Sequence, residues 1–178
     1  VALPVYHGHR WYRDIDRDDL KRALRQNIKF LIENCDARGR FPLQPKPWKP
    51  DFEDTHSANA RAHTALALAR YAKFADHEPG RAAALRVVSR LQRDVKPVSA
   101  SKKIRAVVDF FRADLKANAV ATLACLELAD QDARQKRQLT QTALALGRFL
   151  LYQMQPDGMM LTNRFHPAGD FNVEFSTD

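Results

Sequence analysis

The sequence predicts an all-α chain built of tandem antiparallel helical hairpins, and three observations predict it. Five segments place apolar residues three and four positions apart, which is the spacing of an amphipathic helix. Alternating apolar and polar patterns, typical of strands, are scarce. One tripeptide and one helix ending recur 59 residues apart, and a period of this size is typical of a repeat architecture.

The five predicted helices are separated by prolines and glycines. The first runs from about residue 20 to 34 behind four capping aspartates, and Gly39 with the proline-rich stretch 42–50 ends it. The others are predicted at about 57–75, from Pro79 to before Pro97, at about 112–129 and at about 134–152. Residues 104–111 are left open between a short helix and an irregular crossover. Alternation of Phe171, Val173 and Phe175 predicts an extended tail.

The repeat involves both helices of a hairpin. Ala58-Asn59-Ala60 recurs as Ala117-Asn118-Ala119, and the same displacement of 59 residues takes Arg90-Leu91 to Phe149-Leu150. Phe30-Leu31 followed by Gly39 matches Phe149-Leu150 followed by Gly158, at about twice that displacement. The unit that repeats is therefore predicted to be a whole hairpin, with the first helix as the end of an earlier copy.

The charge is concentrated in the middle of the chain. The net charge is +8, and residues 61–120 hold 13 Lys/Arg against 5 Asp/Glu. Such a surface would attract anions, but a solvated helix face is the simpler interpretation, because charge runs decide solubility more often than partners. A nucleic-acid partner is disfavoured because no aromatic or glycine residues alternate with the basic residues between 81 and 105.

Composition also restricts the classes of site and compartment. No apolar run approaches the ~20 residues of a membrane span. Cys35 and Cys125 are predicted to be buried free thiols, so the compartment stays open, with periplasm or secretion slightly favoured. The scattered glycines form no phosphate-binding loop and the histidines lack metal-ligand spacing, so neither a cofactor nor a metal is expected.

The segment 149–159, FLLYQMQPDGM, resembles the ending "helix, Gln, Asp-Gly, apolar residue" that recurs in helical-hairpin toroids, and 30–41 is a degenerate version of it. Glycine tolerates the positive φ of a chain reversal, and the next apolar residue is expected to pack back on the hairpin. By this resemblance the chain is similar to the (α/α) toroid superfamily. That superfamily includes six-hairpin glycosidases, sugar epimerases, polysaccharide lyases and terpenoid cyclases.

The resemblance implies a partial (α/α) toroid. Residues 1–178 are expected to form a single helical-hairpin domain, a fragment of a larger ring that a C-terminal remainder or a second chain completes. The implied function is that of a carbohydrate-active enzyme, whether glycoside hydrolase, polysaccharide lyase or sugar epimerase, acting on a glycan or another polyanionic substrate. The alternative is a non-catalytic helical-repeat scaffold that binds a protein or an acidic polymer. A terpenoid cyclase ranks last because aromatic residues make up 9% of the chain.

In such toroids the site lies at one end, where loops lead into the inner helices. Histidines and carboxylates there suit general acid and base work, and paired carboxylates suit glycoside hydrolysis. The candidate catalytic residues are Asp54, His56, His63 and Glu174, and the candidate substrate-binding residues are Trp48, Arg61, Arg164, His166 and Asp170.

Each candidate has a structural alternative. His56 could cap a helix, and His63 could be a polar residue packed among alanines. Trp48 could fold onto the core above an ordinary solvated loop. Asn59 and Asn118 are expected to bond backbone groups where a loop enters a hairpin.

Overall fold

Five α-helices dominate the computed structural model, which describes residues 15–41, 57–98, 104–109 and 112–165. Their bounds are α1 Arg17–Glu33, α2 Ala58–Ala75, α3 Glu78–Arg93, α4 Leu115–Ala129 and α5 Lys136–Tyr152. All five helices predicted from the sequence are confirmed, with most ends displaced by a few residues. The predicted tail at 171–175 lies outside the described residues.

Four short strands accompany the helices in the described part of the chain. β1 (Val95–Pro97) pairs antiparallel with β2 (Arg105–Val107), and β3 (Arg112–Asp114) pairs antiparallel with β4 (Asn163–Phe165). The short helix and the irregular crossover predicted as alternatives for 104–111 are therefore both wrong at 105–107, where the chain forms β2. The fourth helix begins at Leu115, three residues after its predicted start. Strands of three residues are too short to show alternation, and their partners lie elsewhere in the sequence.

Side-chain caps fix where α1, α2, α3 and α4 begin, whereas α5 has no side-chain cap. Asp16 accepts from the backbone N–H groups of Asp18 and Asp19 in a capping box, as the aspartate-rich start predicted. Ser57 caps α2 by accepting from Ala60 N, and Asp114 caps α4 by accepting from Ala117 N. His77 Nδ1 accepts from Gly80 N at 3.0 Å at the start of α3.

The centre of the fold is a pair of alanine-rich helices, α2 and α4, which pack against each other and against α3 and α5 respectively. Small side chains let these helices approach closely. Positions 59 residues apart are buried in both, namely Ala58 and Ala117, Ala62 and Ala121, Ala65 and Ala124, Leu66 and Cys125, Ala69 and Leu128. The predicted hairpin repeat is thus confirmed in the packing.

The two ends of the hairpins differ. Short turns join α2 to α3 and α4 to α5, whereas the long connections 34–57 and 94–114 lead into the first turns of α2 and α4. Leu115 N donates to Thr162 O at 2.7 Å, so the segment after α5 returns to the same end. We call this end, which carries all four short strands, the loop end.

The glycine turns behave largely as predicted. Gly39 and Gly158 have φ of 72° and 85°, in the region that favours glycine. Phe41 packs back into the core at 4% exposure, but the equivalent expectation for Met159 is wrong, because that side chain is 50% exposed. Leu161 returns to the core instead, with its backbone N–H bonded to Gln153 O.

Both cysteines are buried free thiols, as predicted. Burial raises the pKa of Cys125 to about 12. No helix among the described residues combines the length and apolar character that a membrane crossing requires.

Candidate functional site

A buried ion pair joins α2 to the long connection at the loop end. Arg61 is 6% exposed, and its Nη2 donates to Asp94 Oδ2 at 3.2 Å. Asp94 ends α3, and its carbonyl also accepts from Val108 N at 3.0 Å. The pair therefore fixes the start of the 94–114 connection against the first turns of α2.

Two further carboxylates at the loop end hold helix N-termini. Asp109 Oδ2 accepts from Ala58 N at 2.7 Å, so a residue from one hairpin's loop caps the inner helix of the preceding hairpin. Asp114 Oδ1 accepts from Ala117 N at 2.7 Å. The three described carboxylates of the 94–114 connection, counting Asp94, thus serve the fold.

Asn118 connects α4 to β2 through its side chain. It is fully buried, and its Oδ1 accepts from Val107 N at 2.7 Å while its Nδ2 donates to the carbonyls of Val107 and Asp114. The expectation that this residue bonds backbone where a loop enters a hairpin is confirmed. Asn59 stands at the equivalent position of α2, and its buried Oδ1 has no partner among the described residues.

Substituting Asn118 with alanine is expected to lower the free energy of unfolding by about 2–3 kcal/mol, because buried backbone groups of β2 would lose their partner. Urea unfolding followed by circular dichroism measures this. The matched control is Asn34→Ala, which removes an exposed bond to Phe30 O and should cost less than about 1 kcal/mol. Equal losses in the two variants would contradict the role assigned to Asn118.

Exposed cations surround these structural carboxylates. Lys96, Arg105, Arg112 and Lys116 lie on β1, β2, β3 and the first turn of α4, and we call them the cationic loop surface. None of the four forms an ion pair with a described carboxylate. Arg105 donates to the carbonyl of Val95. The surface therefore offers positive charge to an anion from solvent.

The candidate residues fall into three groups. His63 is exposed on α2, and Arg61 lies roughly on the opposite side of the helix, buried with Asp94. The backbone of Arg164 pairs with Ala113 in the β3–β4 ladder. Trp48, Asp54, His56, His166, Asp170 and Glu174 lie outside the described residues. The catalytic and binding roles of all of these stay predictions.

Sequence reasoning singled out Asn118 but not the three aspartates that organise the loop end. Asp94 and Asp109 show no local signal, since their partners lie 33 and 51 residues away. Asp114 could have been found, because an aspartate directly before an alanine-rich helix is a capping signal. Within the described ranges no cluster of three or more His, Cys, Asp or Glu side chains could hold a metal ion.

Comparison with solved structures identifies a similar fold. The chain matches a GH76 α-mannanase of Bacteroides thetaiotaomicron with a TM-score of 0.65 and 13% sequence identity, over 89% of this chain and 45% of the mannanase chain. That enzyme is an (α/α) toroid glycosidase, so the all-α, partial-toroid fold predicted from the sequence is confirmed. The chain spans less than half the length of this relative. No protein-family model and no curated protein matches the sequence.

Proposed function

Starting from this likeness to an α-mannanase, we propose that the chain is part of a carbohydrate-active toroid enzyme that acts on a glycan at the loop end. The observation that carries the proposal is the fold, which matches that of a glycan-cleaving enzyme over 89% of the chain. Fold alone does not specify chemistry, so the substrate class has to come from the residues at the loop end.

The charges there favour an anionic glycan. The cationic loop surface brings four cations to the end of the helices where the long connections meet, and none of the four forms an ion pair with a described carboxylate. A guanidinium group can bind a uronate carboxylate through two parallel hydrogen bonds. Arg105 and Arg112 are the arginines of this surface that could do so.

The acid and base are proposed to come from the segments that adjoin the loop end. Glycoside hydrolysis needs two carboxyl groups, and Asp94, Asp109 and Asp114 are already used by the fold. Asp54 precedes the cap of α2 by three residues, and Glu174 follows β4 by nine. We assign acid and base roles to these two carboxyl groups, and His63, which is exposed on α2, is proposed as a further proton-transfer residue.

The electrostatic part of the proposal is tested by charge reversal. The double variant Arg112→Glu/Lys116→Glu is expected to weaken binding of polygalacturonate by about tenfold or more at low salt, because exposed charges attract a polyanion over a Debye length. The matched control is Arg25→Glu/Lys29→Glu on α1, which changes the net charge of the protein by the same amount at another site. Affinity electrophoresis in gels that contain polygalacturonate or neutral mannan measures how strongly each double variant and the parent protein bind each polysaccharide.

The outcomes separate the parts of the proposal. Equal weakening by both double variants would show a net-charge effect and refute the loop end as the site. Binding of neutral mannan alone would refute the anionic substrate but keep the glycan. Retention of neither polysaccharide would contradict the proposed function.

A non-catalytic scaffold that binds an acidic polymer is the second candidate. This candidate is favoured because the described carboxylates at the loop end, Asp94, Asp109 and Asp114, all bond within the fold. Turnover separates the two candidates, since loss of hydrolysis or elimination in Asp54→Asn and Glu174→Gln with binding retained requires an enzyme. Binding without turnover in the parent protein favours the scaffold.

A further inference from the structure

One face of α5 is apolar and open to solvent. Leu144 and Leu151 are 58% and 68% exposed, and their spacing of seven residues puts them on the same side of the helix. Gly147 lies between them, and a Cβ atom added there would have no described atom within 4 Å. We call these three positions the open face of α5. Two exposed leucines on the same side of one helix favour a partner over solvent.

The repeat indicates what such a face contacts. A displacement of 59 residues relates Leu144, Gly147 and Leu151 to Leu85, Val88 and Gln92 of α3. On α3 these positions are covered: Val88 is 1% exposed and Leu85 packs on the core. Gln92 bonds across to the next hairpin, donating to Thr142 Oγ1 at 2.9 Å and accepting from Gln138 Nε2 at 3.2 Å.

We propose that the open face of α5 binds a further helical hairpin of the same repeat, packed on α4–α5 as α4–α5 packs on α2–α3. The argument is continuity with an interface that the molecule already contains. The likeness to the α-mannanase agrees with it, since this chain matches 45% of that toroid. The inference concerns the fold alone and does not depend on the substrate.

The register also specifies the chemistry of the partner. Where the first interface has the amide of Gln92, the second has Leu151. A hydroxyl or amide facing this leucine would be buried without a partner, at a cost in free energy. The incoming outer helix therefore carries aliphatic side chains at the positions equivalent to Gln138 and Thr142.

A second copy of this chain fits less well. Its α1 is amphipathic and exposed, and could lie against α5 as an outer helix. Among the described residues no helix precedes α1, so the described part of a second copy would bring this outer helix without an inner helix to pack beside α4. A further hairpin of the repeat would supply both an inner helix to pack beside α4 and an outer helix to pack beside α5.

The test extends the full chain by one repeat. Residues 107–165 are duplicated directly after Phe165. Phe165 is equivalent to Ala106 of the previous repeat, so the copy begins at the correct position of the 59-residue period. The duplicate carries leucine at the positions of Gln138 and Thr142. Its urea midpoint is expected to exceed that of the parent by about 0.5–1 M, because an added repeat adds an interface.

The open face is then removed with Leu144→Gln/Leu151→Gln in the original hairpin. This double variant should abolish the increase in the extended protein and leave the midpoint of the unextended chain within about 0.2 M, which also shows that the variant folds. An unchanged midpoint on extension, or an increase that survives the double variant, would overturn the proposal. It would also be overturned if the unextended chain is a dimer by light scattering that the double variant dissociates.

Discussion

Arg61→Leu is expected to lower the free energy of unfolding by about 3–5 kcal/mol, the usual loss when one partner of a buried ion pair is removed. The Arg61 side chain is 7% exposed and is bonded to Asp94, whose side chain is 21% exposed. Without Arg61, the Asp94 carboxylate would stay partly desolvated with no cation beside it. Urea unfolding monitored by circular dichroism gives the loss directly.

The double variant Arg61→Leu/Asp94→Leu provides the control. Removing both charges should recover part of the loss, because no uncompensated carboxylate is left. A loss equal to the sum of the two single variants would contradict the coupling. A substrate-binding role for Arg61, as the sequence predicts, would appear separately as weakened glycan binding in a folded Arg61→Lys variant.

Gly39→Ala is expected to cost about 2–4 kcal/mol, combining a positive φ with overpacking. A methyl group at Gly39 would lie 2.2 Å from the carbonyl oxygen of Arg86, a backbone atom of α3 that cannot rotate away. Asp36 holds the turn by accepting from the N–H groups of Arg38 and Arg40, both at 2.8 Å, so the loop has little freedom to move.

Gly158→Ala is the matched control for this prediction. Its φ of 85° resembles the 72° of Gly39, but no described atom lies within 4 Å of the position that a methyl group would occupy. The expected loss is therefore only the backbone term, about 1 kcal/mol. Similar losses in the two variants would show that φ alone decides, and that the contact with α3 does not matter.

The candidate site was predictable only in part. Asn118 was recognised because the repeat doubles it with Asn59, and the structure confirms that it bonds backbone groups. Asp109 was missed, since an aspartate that caps a helix 51 residues earlier leaves no pattern in the local sequence. Arg61 was predicted to bind substrate from its closeness to His63 along the chain. Residues two apart on a helix point to roughly opposite sides, and the fold buries Arg61.

The sequence by itself determined the helices, the aspartate cap of α1 and the hairpin period, because these depend on interactions within a few residues or on spacing along one chain. Tertiary structure alone decided the short strands, the ion pair of Arg61 with Asp94 and the cap that Asp109 gives to α2. It also decided that Leu85 and Val88 are covered while Leu144 and Leu151 are exposed. Equivalent positions of a repeat share a helical backbone, but the burial of their side chains depends on what packs against each helix, and spacing along the chain does not specify that.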